Sequence, residues 1–182
     1  MSHVDVRSHS VRRCRDNLRM RSDAGPLVSR EFLSAYISGY VDGEGCFTVS
    51  ISPRATLLVG WEVRPSFSVS QNGDRAEVLY AIEAYFGCGC IRPDRSDRTL
   101  KWETRRLSSI LSSVVPHFRD YPLQSGKRRD FELFADICER MTRGEHREAD
   151  GLGEIVRRAG EMNPSGKRGY MPESILRDLA SR

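Results

Sequence analysis

The sequence lacks several features that would assign a protein to a class at once. None of its apolar runs approaches the roughly 18 residues needed to cross a bilayer, and no secretory signal is recognisable. Its five cysteines contain no C-x-x-C pair, and Cys88-Gly-Cys90 has no second ligand pair at a zinc-binding spacing. We therefore expect a cytoplasmic, intracellular protein with reduced thiols, without a membrane span and without structural zinc.

Lysine is scarce, since Lys101, Lys127 and Lys167 are the only lysines among 29 basic residues. Arginine suits bidentate contacts with guanine and phosphate, although a GC-rich coding bias would produce the same excess. The net charge of +4 is mild. A chain of 182 residues with 38% hydrophobic and 30% charged residues favours one domain with a real core and a large polar surface.

The most informative segment runs from Ile37 to Gly45 and reads Ile-Ser-Gly-Tyr-Val-Asp-Gly-Glu-Gly. A helix rich in small and apolar residues ends there on two carboxylates, Asp42 and Glu44. Carboxylates in the last turn face the negative end of the helix dipole, which costs a few tenths up to about 1 kcal/mol. A divalent cation would compensate them. The competing interpretation is an ordinary buried helix whose glycines only mark its end.

Small residues also form one stripe of this helix, because Ala35, Gly39 and Gly43 follow at intervals of four. Such a stripe lets two helix backbones approach closely. The chain contains no second copy of it, so the simplest partner is the same helix of another subunit, related by a twofold axis that brings two Glu44 side chains together. The predicted dimer interface consists of Ala35, Ser38, Gly39, Asp42 and Gly43.

The motif resembles the LAGLIDADG homing endonucleases, specifically their single-motif, homodimeric branch. Ile37 stands for the first leucine, Ser38 for the alanine and Glu44 for the second aspartate. The likeness continues through residues 47–51, 69–71, the helix after Asp74 and residues 126–131, and it covers roughly residues 30–143. It implies an α+β fold with an α-β-β-α-β-β-α core, whose curved antiparallel sheet forms half of a DNA-binding saddle.

Hydrophobic periodicity independently predicts the same element order. We expect a basic, disordered arm over residues 1–28, an endonuclease core over 29–143 and a helical extension over 144–182. Within the core and extension, helices are predicted over residues 29–43, 74–86, 107–115, 131–141, 154–161 and 172–180, and strands over 46–52, 58–70, 88–94 and 99–105. Asp74 is expected to cap the second helix, Gly87 to end it, and Pro116 to end the third.

One face of the predicted sheet is rich in hydroxyl and charged side chains and needs a polar partner. A two-stranded ribbon fits the DNA major groove, where side chains at alternate positions meet base edges. The candidate DNA-binding residues are Thr48, Ser50, Ser52, Arg54, Glu62, Arg64, Ser66, Ser68, Ser70, Arg92, Asp94, Lys101, Glu103 and Arg105.

The catalytic assignments combine ion chemistry with the resemblance. Hard cations prefer carboxylate and carbonyl oxygens, so Glu44 and the carbonyl of Gly43 are the expected ligands of Mg²⁺ or another divalent cation such as Mn²⁺. Asp42 is expected to support the helix end or the interface. The resemblance implies Gln71 near a metal-bound water and Arg75 and Lys127 near the scissile phosphates, with Arg128 and Arg129 as alternatives to Lys127.

These features predict a metal-dependent, site-specific endonuclease that hydrolyses phosphodiesters of double-stranded DNA as a homodimer on a long, partly palindromic target. No small-molecule substrate is expected. The alternative is a noncleaving nucleic-acid binder on the same fold, either an intron RNA maturase or a DNA-binding regulator. An endonuclease of this type that still folds but has lost its activity would have the same sequence features.

Overall fold

The computed structural model describes residues 29–94, 99–163 and 169–181. The predicted basic arm over residues 1–28 lies outside these ranges, as do residues 95–98 and 164–168. The elements of the first half are α1 (Arg30–Glu44), β1 (Gly45–Pro53), β2 (Trp61–Asn72), α2 (Glu77–Phe86), β3 (Cys90–Pro93) and β4 (Thr99–Thr104). Those of the second half are α3 (Leu107–Ser109), α4 (Val115–Asp120), α5 (Lys127–Thr142), α6 (Ala149–Glu161) and α7 (Pro172–Ala180).

The four strands form one antiparallel sheet in the order β1-β2-β4-β3. Its register places Thr48 opposite Ser66, Ser68 opposite Glu103, and Arg92 opposite Lys101 on one face. The other face carries Phe47, Phe67 and Trp102, which are buried under the helices. The predicted α+β class and the order of the core elements are therefore confirmed.

Aromatic packing holds the helices to the sheet. Phe47 of β1 stacks on Phe67 of β2 with ring centroids 4.7 Å apart and also contacts Phe118, Phe131 and Phe134. Each fully buried ring of this kind contributes about 1.5–3 kcal/mol of transfer free energy. Because these rings come from the strand that follows α1 and from α4 and α5, they fix the end of α1 against the rest of the core.

The motif helix begins as predicted and ends one residue later. The Ser29 side chain accepts a hydrogen bond from the Phe32 amide at 3.1 Å, which is an N-cap contact. The helix reaches Glu44, and Gly45 continues directly into β1 in an extended conformation. A Cβ at Gly45 would lie 2.4 Å from Val41 Cγ1 and 2.8 Å from the Val41 carbonyl oxygen, so glycine is required there by close approach.

The predicted starts of β2 and α2 were wrong. Strand β2 starts at Trp61, and Leu58, which we placed in the strand, is 98% exposed in the preceding loop. Asp74 lies in a 3-10 turn, Gly73–Arg75, and makes no cap contact to α2, which starts at Glu77. The predicted end of α2 is confirmed, because Gly87 adopts the left-handed conformation with φ of 62°.

Pro116 does not end the third helix. Helical backbone runs from Leu107 to Asp120 through a π-helical turn, Ile110–Val114, and the Val115 amide donates to the Ile110 carbonyl. Proline lacks an amide hydrogen and its ring crowds the carbonyl four residues earlier in a regular helix. The wide π turn places Pro116 in the first turn of a new α-helical segment, where proline is tolerated.

The two predicted C-terminal helices are confirmed, although α6 starts at Ala149 instead of residue 154. They pack beside the first hairpin. The Trp61 indole donates to Asp178 Oδ2 at 2.7 Å, and the Asn163 side-chain amide donates to the Phe47 carbonyl at 2.7 Å. Among the described residues, no helix is long and apolar enough to cross a membrane.

Candidate functional site

The C-terminal end of α1 presents Gly43 and Glu44 to solvent. Within the described residues, the Glu44 carboxylate has no hydrogen-bond or ion-pair partner, although it is the last residue of a helix whose end is electrostatically negative. Glu44 is therefore an exposed carboxylate without a direct partner in the described part of the chain. Such a group fits a hard divalent cation.

Lys127 reaches this end of α1 from the first turn of α5. Its Nζ donates to the carbonyls of Val41 at 3.0 Å and Gly43 at 3.2 Å, so a cation lies at the negative helix end. Arg128 instead pairs with Glu132, and Arg129 with Glu161. Of the three basic candidates, Lys127 is the one placed at the motif. The same contact makes the Gly43 carbonyl a poorer cation ligand than Glu44, because a positive charge already lies on it.

Asp42 faces the loop before α5. Its carboxylate accepts hydrogen bonds from the Ser125 hydroxyl at 2.7 Å, the Gln124 amide at 2.7 Å and the Ser125 amide at 3.2 Å. Partial burial alone would raise the pKa of Asp42, but these hydrogen bonds and the charge of Lys127 hold the pKa below its ordinary value. Asp42 thus joins the helix end to the loop that positions Lys127, which fits the predicted supporting role.

Gln71 lies on the sheet side of the same helix end. Its Nε2 donates to the Tyr40 hydroxyl at 2.5 Å, and its Oε1 accepts from the Asn72 amide at 2.7 Å. Burial raises the pKa of Tyr40, and the nearby negative charge of Glu44 adds to that shift. Gln71, Tyr40 and Glu44 are therefore neighbours. Arg75 is exposed in the 3-10 turn after β2 and makes no ion pair within the described ranges.

The outer face of α1 is apolar and open. Phe32 is 64% exposed and Tyr36 47% exposed, and Ala35, Gly39 and Gly43 are also exposed. A Cβ added at Gly39 or Gly43 would meet nothing within 4 Å. Of the predicted interface residues, Ala35, Gly39 and Gly43 lie on this face and Asp42 lies at its margin.

Ser38 was placed wrongly in the interface, because it is buried inside the chain. Its hydroxyl donates to the Tyr121 carbonyl at 2.7 Å and lies 3.2 Å from His117 Nε2. His117 Nδ1 in turn lies 2.9 Å from the Tyr85 hydroxyl. Since the Ser38 hydrogen is used by Tyr121, the neutral His117 ring carries its hydrogen on Nε2 and accepts from Tyr85.

This buried network was not predicted from the sequence. It links α1, α2 and α4, and burial lowers the pKa of His117 to about 4. A signal was present, because Ser34 and Ser38 lie one turn apart on the side of α1 that also carries Ile37 and Val41. Two buried hydroxyls on an apolar helix face require polar partners.

Two arginine–glutamate–arginine clusters occupy the open face of the sheet. Arg54 and Arg64 contact Glu62 at 3.0 and 2.6 Å. Arg92 and Arg105 contact Glu103, with Arg105 Nη2 3.0 Å from Glu103 Oε1. The remaining candidates on this face, Thr48, Ser50, Ser52, Ser70, Asp94 and Lys101, are partly or fully exposed.

Three predicted DNA contacts are not accessible on this face. Ser66 is 8%, Ser68 3% and Glu103 6% exposed. The Ser66 hydroxyl donates to Glu103 Oε1 at 2.6 Å, and Arg92 and Arg105 pair with the same carboxylate. The strand pattern placed these residues on the correct face, but all three are buried there, and Glu103 is paired with Arg92 and Arg105, so direct contact with DNA is not supported for them.

The carboxylates at the end of α1 are not part of a larger cluster of metal-ligating side chains within the described part of the chain. Across residues 29–94, 99–163 and 169–181, no group of three or more histidine, cysteine, aspartate or glutamate side chains could hold a metal ion. Glu44 is one free carboxylate at the margin of an open helix face. A second copy of that face would bring a second Glu44.

Residues 37–138 match the sequence model of the LAGLIDADG endonucleases, and the chain belongs to this family. It is 30% identical to homing endonuclease I-ApeII of Aeropyrum pernix over 151 residues. The matched region covers 80% of this chain and 89% of that protein. It is 28% identical over 130 residues to probable intron-encoded endonuclease 2 of Neurospora crassa, of which it spans only 29%. Some relatives are therefore much longer than this chain.

Solved structures agree with this assignment over most of the chain. The homing endonuclease I-TnaI is 37% identical and superposes with a TM-score of 0.71, covering 81% of this chain and 96% of that one. The archaeal intron-encoded homing endonuclease I-Vdi141I, solved in complex with DNA, is 26% identical with a TM-score of 0.78, covering 84% and 98%. The predicted family and fold are both confirmed.

Proposed function

We propose that the protein is a site-specific endonuclease that cleaves double-stranded DNA as a homodimer with a divalent cation such as Mg²⁺. The observation that carries this proposal is Glu44, an exposed carboxylate without a partner at the end of the family motif. Relatives of similar length are named homing endonucleases, and one of them was solved in complex with DNA.

The homodimer follows from the open face of α1. An exposed apolar stripe of this kind needs a partner, and the open space at Gly39 and Gly43 permits close approach of a second helix. A twofold axis through the stripe would bring two Glu44 carboxylates together. Identical halves recognise related half-sites, so the proposed target is a long and partly palindromic duplex.

The side chains around Glu44 have distinct proposed roles. A bound divalent cation would activate water and neutralise charge at the phosphate, and Glu44 would hold it. Lys127 contacts the helix end from which Glu44 projects, and its positive charge would lie near the scissile phosphates of a bound duplex. Gln71 lies on the sheet side near Glu44, and the exposed Arg75 remains available for a phosphate.

The open sheet face is the proposed DNA surface. Arg54, Arg64, Arg92 and Arg105 are exposed on it, and Lys101 is partly exposed. Arginine offers a planar set of donors for guanine edges and phosphates. The same face would serve a noncleaving nucleic-acid binder, so only Glu44 and its surroundings favour cleavage.

The test is Glu44→Gln, which keeps the size of the side chain and removes one negative charge per copy. A target selected by the wild type from randomised duplexes is placed on a supercoiled plasmid with Mg²⁺ present. Cleavage should fall by orders of magnitude while binding to the same duplex persists or tightens. Glu31→Gln, an exposed carboxylate at the opposite end of α1, is the matched control and should cleave normally.

Undiminished cleavage by Glu44→Gln would contradict the role of this carboxylate. A wild type that binds its selected target but never cleaves it would favour the RNA maturase or DNA-binding regulator. Omission of divalent cations should abolish cleavage of the wild type, and restoration by Mg²⁺ or Mn²⁺ would support the proposed cofactor.

A further inference from the structure

Glu103 is a buried carboxylate in the middle of a surface that should face DNA. Its side chain is 5% exposed, although it belongs to the polar face of β4. Oε1 accepts from the Ser66 hydroxyl at 2.6 Å and lies 3.0 Å from Arg105 Nη2, and Oε2 pairs with Arg92 Nη2. Both arginines therefore hold the same carboxylate through one terminal nitrogen each.

The arginines remain available while they are held. The side chains of Arg92 and Arg105 are 48% and 60% exposed, so they cover Glu103 without being buried themselves. A buried carboxylate that loses its partners is strongly disfavoured, which opposes any movement of the arginines away from it. Each guanidinium has five N–H donors in a fixed plane, and one tethered nitrogen leaves the outward edge of that plane for another acceptor.

We propose that Glu103 does not contact DNA but is a positioning residue that fixes Arg92 and Arg105 for base recognition; this inference rests on the proposed function. A free arginine samples many rotamers, and ordering it on DNA costs conformational entropy. If both arginines are already fixed before binding, less conformational entropy is lost when they contact the correct base edges. The carboxylate also cancels one of their two positive charges, which reduces attraction to phosphates of any sequence.

The Arg54–Glu62–Arg64 cluster provides an internal comparison on the same face. Glu62 contacts two arginines as Glu103 does, but its side chain is 25% exposed and lies near the end of the hairpin. Water can replace its partners more easily. We therefore expect Glu62→Gln to change base preference less than Glu103→Gln, and at different positions of the target.

Glu103→Gln keeps the acceptor for Ser66 but weakens the hold on both arginines. Binding to unrelated duplexes should be equal or tighter, because each chain loses one negative charge. The preference for the bases under Arg92 and Arg105 should fall about tenfold at those positions, the discrimination expected of an oriented arginine–guanine contact. A purely structural role for Glu103 would lower binding to all sequences together.

The experiment selects bound sequences from a pool of randomised duplexes at fixed salt and compares the base preferences of the variants. The wild type, Glu103→Gln, the double variant Arg92→Ala/Arg105→Ala and the triple variant that combines all three changes are assayed in parallel. If Glu103 acts through the arginines, the triple variant loses no more preference than the double variant. Thermal unfolding of each variant establishes that it is folded.

The double variant Arg92→Lys/Arg105→Lys keeps the positive charges beside Glu103 but removes the planar guanidinium groups. It therefore tests the inference without a substitution of the buried glutamate. This variant should lose the same base preferences while it retains binding to unrelated duplexes. Equal preferences for wild type and Glu103→Gln would overturn this inference and leave the proposed function intact. A wild type that selects no sequence at all would overturn both.

Discussion

Asp42 and Glu44 lie two positions apart in one motif, yet their surroundings are opposite. Asp42 accepts hydrogen bonds from Gln124 and Ser125, whereas Glu44 has no partner in the described part of the chain. The sequence identified both as carboxylates at a helix end. The spacing of Asp42 and Glu44 alone could not distinguish their roles, because the partners of Asp42 come from a loop more than 80 residues later.

Asp42→Asn should therefore cost stability. The substitution leaves one acceptor oxygen and removes the charge that the two amides and Lys127 stabilise. We expect the free energy of unfolding at neutral pH to fall by about 1 kcal/mol, since charge-assisted hydrogen bonds at a partly exposed site contribute about this much. Denaturant unfolding of the wild type and the variant measures the difference.

The pH dependence of this difference has a defined sign. The pKa of Asp42 is lowered in the folded state, so its contribution is present above the ordinary aspartate pKa and is lost as the pH falls through the lowered value. Wild type and Asp42→Asn should converge in acid. Glu44→Gln, the matched variant, should unfold no more easily than the wild type, because it removes an exposed charge from the negative end of a helix.

At the scale of secondary structure, the order of the elements could be predicted from the sequence, but the irregular turn inside the third helical segment could not. Alternation in β1 and helical spacing in α2 and α5 identified these elements correctly. Pro116 was read as a helix end because the rule for proline assumes a regular helix, and a π turn is not visible in hydrophobic spacing. The helical segment after this π turn places His117 between Ser38 of the motif helix and Tyr85 of α2.

The His117 network should make stability fall in mild acid. Because burial lowers the pKa of His117 to about 4 from 6.5, the unfolded chain binds a proton at this site before the folded chain does. Stability should fall as the pH decreases from 6.5 to about 4, by at most about 3 kcal/mol at the low end. Urea unfolding at intervals across this window measures the loss.

His117→Gln is the matched variant for this measurement. It should be less stable than the wild type at neutral pH, since glutamine cannot reproduce both ring contacts, but it should lose less stability across the window. Burial also lowers the pKa of His146, which contributes to the same window in both proteins, so the difference between the two curves isolates His117. Parallel curves would show that His117 does not titrate as described.

At the scale of the whole molecule, the sequence singled out two surfaces, the polar sheet face and the outer face of α1, and both are largely exposed in the single chain. Period-two and period-four patterns identify which side chains share a face. These patterns do not report how deeply a side chain is buried, so Ser66, Ser68 and Glu103 were assigned to the DNA surface although all three are buried. Ser38 was assigned to the interface for the same reason, because helical spacing places it at the boundary between two faces.

Gly39→Leu tests whether the outer face of α1 is covered by a second copy. In one chain a Cβ at this position meets nothing within 4 Å, so the substitution should leave the monomer folded. Leucine in place of a helical glycine should even stabilise an isolated chain by up to about 1 kcal/mol. In a dimer with close helix contact, the same side chain separates the backbones, and we expect light scattering to report monomer where the wild type is a dimer.

The matched control is Gly45→Ala, whose Cβ would lie 2.4 Å from Val41 Cγ1 and would lower stability whether or not a partner is present. The two variants therefore separate association from folding: Gly39→Leu should change the mass in solution without loss of thermal stability, and Gly45→Ala should unfold more easily. A Gly39→Leu protein with the mass of a wild-type dimer would place the subunit contact elsewhere. A wild type that stays monomeric at micromolar concentration and on DNA would contradict a site built from two Glu44 side chains.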